Sequence, residues 1–195
     1  DAAFHPGEAI SQRAVGRLLA ATVDRVITVD AHLHRTADIR AVFPGIAADN
    51  LSAMPAIAEA LAGIDGATIV AGPDSESRPW VSDLATRLGL EYVVGQKTRH
   101  GDRWVEINFA CQTAVAGRPV LLVDDIVSSG GTLMTCARTL KQSGAATIDA
   151  VITHALFPPG AAEEFAGAGI HSVRSTSSVA HPTNAIPLDT VLAAA

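Results

Sequence analysis

The chain has 195 residues, room for one full α/β domain or two small ones and enough interior to hold a fold without disulfides. Hydrophobic residues are 48% and charged residues 17%, which excludes a disordered chain, while 4% aromatics leave the core to Ala, Val, Ile and Leu. A net charge of −6 without a long basic run argues against nucleic acid, no apolar stretch reaches membrane-spanning length, and no signal-peptide pattern opens the chain.

Ile10, Ala14, Leu18 and Leu19 recur at helical spacing behind Pro6-Gly7-Glu8, which predicts a first helix. Residues 25–30 are short and β-branched, a strand. Residues 31–51, with Pro44-Gly45, read as a loop or linker. Ala56, Ile57, Ala60 and Leu61 give a second helix with Ser52 as N-cap, and 67–71 a buried strand. Trp80, Leu84, Ala85 and Leu88 form a third helix closed near Gly89. Tyr92-Val-Val and 104–107 are strands joined by a polar connector from Lys97 to Arg103. Residues 119–123 form a strong strand, 133–140 a helix ended by Gly144, 148–153 a strand and 161–166 a helix. Val173 begins the last strand, and 188–195 is a short helix.

This alternation predicts an α/β fold, a mainly parallel sheet with helices on both faces. Cys111 and Cys136 lie in no CxxC pair, so a disulfide framework or zinc site is not expected. The expectation is a cytoplasmic protein with two free thiols.

In such sheets ligands bind beyond the carboxyl ends of the strands. Polar clusters fall there four times: Asp30/His32/His34, Asp74 to Ser77, Gln96/Lys97/Arg99, and Asp124/Asp125 with 128–132. The last is the sharpest. A buried strand delivers two adjacent carboxylates, then Ser128, Ser129, Gly130, Gly131 and Thr132, then a helix. Small side chains let backbone N–H groups converge on an anion, and the helix adds its positive end. The carboxylates repel a bare phosphate, so sugar hydroxyls or a magnesium-bearing pyrophosphate suit them better. The bland alternatives are a satisfied histidine at His32, a capping Asp74 and a solvated loop at Lys97 and Arg99.

The stretch from Val123 to Thr132 resembles the ribose-phosphate signature of type I phosphoribosyltransferases and their relatives, the ribose-phosphate pyrophosphokinases. Asp30-Ala-His32, Gly72-Pro-Asp74 and Lys97-Thr-Arg99 are similar, in order, to motifs of the pyrophosphokinases, as are 4–11 and 175–184. Ser75-Glu76-Ser77 departs from that family's glycine-containing turn.

The resemblance implies a phosphoribosyltransferase-like fold in two domains. Residues 1–48 with 188–195 are the remnant of the first, and 49–187 the complete second. It implies diphosphoryl transfer from ATP to ribose 5-phosphate, giving AMP and phosphoribosyl pyrophosphate, with Mg²⁺ as cofactor. His32 and Asp74 would lie at the metal, and Lys97 and Arg99 would stabilise the transferring group. Asp124 and Asp125 would hold ribose hydroxyls, and Ser128, Ser129, Gly130, Gly131 and Thr132 the 5-phosphate. His34 has no counterpart. A homo-oligomer built from dimers is implied too. The family's ATP-gripping Phe-x-Asp-x-Glu and Arg-Gln-Asp segments are not in this sequence, so a truncated start and no product from the chain by itself are expected. The rivals are a phosphoribosyltransferase and a non-catalytic, ribose-phosphate-binding relative.

Overall fold

The computed structural model describes residues 2–3, 5–33, 35–99, 105–109 and 114–195, with backbone alone at 97–99, 105–106 and 108–109. Phe4, His34, Cys111 and the connector from His100 to Trp104 lie outside the described residues. The chain divides into two compact units: Asp1–Ser52 with Asp189–Ala195, and Ala53–Leu188.

The first unit holds α1 (Ser11–Ala20), β1 (Arg25–Val29), a 3-10 turn (Ile39–Ala41), β2 (Ala47–Leu51) and α6 (Asp189–Ala193). β1 and β2 pair in parallel, Arg25 with Ala47 through Val29 with Leu51. That corrects the reading of 31–51 as linker. Ala47-Ala-Asp-Asn-Leu51 carries no β-branched residue, and the ladder with β1 makes it a strand. A single sheet is likewise corrected, because this pair forms a sheet of its own.

Ile39, Val42, Phe43 and Ala48 form the small core of this unit. α1 does not bury the apolar face its spacing suggested, since Leu18 is 67% exposed. Its buried residue is Gly16, where a Cβ would lie 2.0 Å from the Val42 carbonyl oxygen. The helix approaches through its one side-chain-free position. Asp38 caps the 3-10 turn, accepting from the Arg40 backbone N–H at 2.9 Å. The Arg40 guanidinium and that N–H hold the Asp38 carboxyl down at about 2.

The second unit contains α2 (Met54–Ala60), β3 (Ile69–Gly72), α3 (Arg78–Leu88), β4 (Glu91–Arg99), β5 (Val105–Phe109), β6 (Pro119–Val127), α4 (Gly131–Gln142), β7 (Thr147–Ala155), α5 (Ala161–Ala168), β8 (Ser172–Thr176) and β9 (Asn184–Ile186). Its seven strands run β5-β4-β3-β6-β7-β8-β9. The described pairings are parallel except β4 with β5.

Alternate residues along the central strands serve different faces. Ile69, Ala71, Val120, Leu122, Ile148, Ala150 and Ile152 join Leu133, Cys136, Leu140 and Phe165 of α4 and α5 in one core. Val70, Leu121 and Val123 have the opposite parity and are equally buried. On that side α3 packs on β3 and on α2. Helices therefore cover both faces, as the strand–helix alternation predicts.

Two differences come from tertiary context. The predicted connector at Lys97 and Arg99 is the second half of β4, where Lys97 pairs with Ile107 and Arg99 with Val105 across an antiparallel ladder. β9 is only three residues long and joins the edge through an irregular register beside β8.

Candidate functional site

The order of the sheet decides where a crevice forms. From β3 the chain turns to one side for β4 and β5, then crosses back to place β6 on the other side of β3. The carboxyl ends of β3 and β6 thus diverge at a topological switch point, the usual ligand crevice of an open α/β sheet.

β6 reaches this point with Asp124 and Asp125, which are 8% and 5% exposed. Asp124 Oδ1 accepts from the Asp125 backbone N–H at 3.1 Å, and Asp125 Oδ1 accepts from Ile126 N–H at 2.8 Å. Two adjacent buried carboxylates are costly unless donors or a cation face them.

Ser128 and Ser129 follow as an exposed bend. Gly130 then takes φ 77°, ψ −3° as N-cap of α4, without a side-chain cap. The Gly130 carbonyl already accepts from Met134 N–H at 2.9 Å, so α4 starts here in earnest. Its first N–H groups follow a bend of small residues, an arrangement that suits a phosphate. Gly131 has no atom nearer than 3.8 Å to a would-be Cβ, which leaves backbone approach open.

Asp74 sits at the end of β3, the strand hydrogen-bonded to β6. It caps a 3-10 turn (Ser75–Ser77): its Oδ1 accepts from Glu76 N–H at 3.1 Å, and its carbonyl from the Ser77 hydroxyl at 2.6 Å. The turn packs on β6 and β4. Gly72 and Gly95 make this possible. A Cβ on Gly72 would lie 2.1 Å from Ser77 Oγ, and one on Gly95 would lie 2.5 Å from the Pro73 carbonyl oxygen. The replaced glycine in Ser75-Glu76-Ser77 therefore yields a compact turn with Asp74 half-buried at the switch point.

Lys97 and Arg99 are fixed by their backbone register in β4, beyond the last β3–β4 pair at Gly72 and Val94. Their side chains lie outside the description. His32 belongs to the first unit and is exposed in the loop after β1. Asp30 before it has φ 40°, a conformation that Asp tolerates better than most residues. The Asn50 side chain supports that turn. Its Oδ1 accepts from Ala31 N–H at 2.9 Å and from the Thr28 hydroxyl at 2.8 Å.

Three parts of the second unit were not anticipated from sequence. His154, at the carboxyl end of β7, pairs in register with Ile126 directly beyond Asp125. The Ser178 hydroxyl donates to the Thr153 carbonyl at 2.7 Å, so the His154 Nδ1–H donates to Ser178 Oγ at 2.9 Å. A polar residue ending a buried strand was the available signal. Asn184 and Thr183 organise the turn after β8 around Ser175; family resemblance marked 175–184 in the sequence, but not this hydrogen-bonding role. Phe165 of α5 lies against Gly130, and nothing in local sequence links the two.

Comparisons with known proteins bear on the family and the fold. The phosphoribosyl transferase domain family matches residues 47–188. The chain is 37% identical over 186 residues to ribose-phosphate pyrophosphokinase of Methanopyrus kandleri, covering 93% of this chain and 62% of that protein. It is 35% identical to ribose-phosphate pyrophosphokinase 2 of Archaeoglobus fulgidus, covering 92% and 63%. The chain thus spans less than two thirds of these relatives. Among solved structures, phosphoribosylpyrophosphate synthetase from Mycobacterium smegmatis superposes with a TM-score of 0.77 at 25% identity, covering 96% of this chain and 63% of that one.

Proposed function

The chain belongs to the phosphoribosyl transferase domain family, and from that premise we propose that it is the sugar-phosphate-binding part of a ribose-phosphate pyrophosphokinase. The reaction transfers a diphosphoryl group from ATP to the anomeric hydroxyl of ribose 5-phosphate, giving AMP and phosphoribosyl pyrophosphate. The observation that carries this reading is the loop from β6 to α4: a buried acidic pair followed by a glycine-capped helix start, in a chain 37% identical to a pyrophosphokinase.

The 5-phosphate sits on the N–H groups from Ser128 to Thr132. Asp124 and Asp125 accept hydrogen bonds from the ribose hydroxyls. Such transfer needs little covalent work from the protein; alignment and charge neutralisation carry it. Lys97 and Arg99, carried on the β4–β5 hairpin, bring positive charge to the transferring group, where it acts most strongly in the transition state.

Among the described residues no three His, Cys, Asp or Glu side chains form a metal cluster. Mg²⁺ rarely asks for such a cage, since it binds through one or two carboxylates and the substrate's own phosphates. The hard oxygens of half-buried Asp74 and of buried Asp124 and Asp125 fit it. When bound, the ion neutralises phosphate charge and fixes phosphate geometry.

No helix among the described residues is long and apolar enough to cross a membrane. A cytoplasmic setting and assembly from dimers complete the proposal. The test is release of AMP from ATP, ribose 5-phosphate and Mg²⁺, in a version extended to the length of its relatives and read by chromatography. AMP and phosphoribosyl pyrophosphate in equal amounts are expected. Ribose 5-phosphate binding without turnover overturns the enzymatic reading in favour of a binding relative. Base-dependent consumption of phosphoribosyl pyrophosphate overturns it in favour of a transferase.

A further inference from the structure

The loop after β6 rests on a side chain distant in sequence. A Cβ on Gly130 would lie 2.4 Å from Phe165 Cε1 and 2.8 Å from Cζ, yet 3.7 Å from Cδ1. The outer edge of the ring fills the space that any other residue at 130 would need. Phe165 is 1% exposed, and its ring meets Phe157 edge-on with centroids 5.0 Å apart. Phe157 in turn faces the His181 imidazole at 4.4 Å. His181 is locked as one tautomer. Its Nδ1 accepts from Thr183 N–H at 3.2 Å, so its Nε2–H donates to the Phe157 carbonyl at 3.0 Å. His181, Phe157, Phe165 and Gly130 thus form one continuous column, hydrogen-bonded at its far end.

We propose that Phe165 is a positioning residue for ribose 5-phosphate: its ring edge holds Gly130 in the left-handed conformation that presents the first N–H groups of α4 to the phosphate. The column from His181 keeps the ring in place. A loop held this way loses little freedom when the anion arrives, which favours binding. The proposal rests on the reading that this loop takes the sugar phosphate.

The experiment is calorimetric titration of ribose 5-phosphate into the wild-type chain, Gly130→Ala, Phe165→Leu and the double variant. A leucine ends near the ring's Cδ atoms, so it clears the positions of Cε1 and Cζ and leaves the new methyl an ordinary contact. Gly130→Ala weakens binding by about tenfold or more, and Phe165→Leu by about threefold. The double variant regains about threefold over Gly130→Ala, and stays weaker than wild type because the left-handed strain remains. Affinities are read well below each melting temperature, where loss of global stability alone leaves Kd unchanged.

A double variant no tighter than Gly130→Ala overturns the positioning role. A wild-type chain that does not bind ribose 5-phosphate overturns the phosphate reading itself, so the two failures are distinct. Where Gly130→Ala does not fold, Phe165→Leu decides: binding about threefold weaker with a cooperative melt carries the proposal, and an affinity equal to wild type overturns it.

Discussion

Two strand ends carry polar residues in this molecule, and they are built differently. The end of β6 is an enclosed structure: Asp124 and Asp125 are buried, Gly130 is wedged over Phe165, and α4 follows without a gap. The end of β1 is a more open one: Asp30 holds a strained φ of 40°, His32 is exposed, and the Asn50 side chain accepts from the Ala31 N–H. The first arrangement suits the phosphate proposed for it. The second presents a group to whatever approaches it. The two ends thus differ in how firmly the structure encloses their polar residues.

On the proposed function, the largest effect should come from Lys97 on β4, assigned there to the transferring group. Lys97→Ala, in a version extended to the length of its relatives, is expected to lower kcat by about a hundredfold with little change in KM. Steady-state kinetics with ribose 5-phosphate check it; a raised KM at normal kcat would move Lys97 to the holding side. Next, Gly130→Val should weaken ribose 5-phosphate binding at least about tenfold, roughly 1.4 kcal/mol, while His32→Ala leaves it unchanged. Equal losses from the two, measured by calorimetry, would erase the distinction between the strand ends.

A smaller effect sharpens the contrast from the open end. Asn50→Ala removes the acceptor of the Ala31 N–H and is expected to cost about 0.5–1 kcal/mol, seen as a lower melting temperature. No loss of stability would mean that the turn at Asp30 stands without it. The smallest effect concerns Asp38, whose carboxyl is held near 2 by Arg40. A lowered folded-state value stabilises the fold only while the group is ionised. Its contribution is present above the ordinary aspartate value of about 4 and disappears as the pH falls toward 2. NMR titration of the Asp38 carboxyl checks this, and a midpoint near 4 would contradict it.

The β6–α4 segment was legible because several local signals coincide there. An unbroken apolar strand, two acids, five small residues and a helical repeat occur in immediate succession, and each has one simple structural meaning. β2 was not legible, since Ala47-Ala-Asp-Asn-Leu51 has weak strand propensity and is ordered by its partner. The outer half of β4 was hidden for the same reason, because Gln96-Lys-Thr-Arg99 is polar and acquires strand geometry only from β5. Among the site residues, Asp74 was visible as a strand-end acid. Phe165 was not, because an aromatic in an amphipathic helix has the same sequence signature whether it fills a core or props a loop.

The excursion of the chain through β4 and β5 also bears on how the protein is made. The β4–β5 hairpin closes over a short contour and can form early. The central ladder pairs Ile69 with Val120, about fifty residues apart, and pays the larger closure entropy. The β3–β6 pairing is therefore expected to form after the more local β3–β4 and β6–β7 pairings, which would complete the crevice late in folding. A nascent chain would expose the apolar flank of β3 until then, and that interval is where association between unfinished copies competes with maturation.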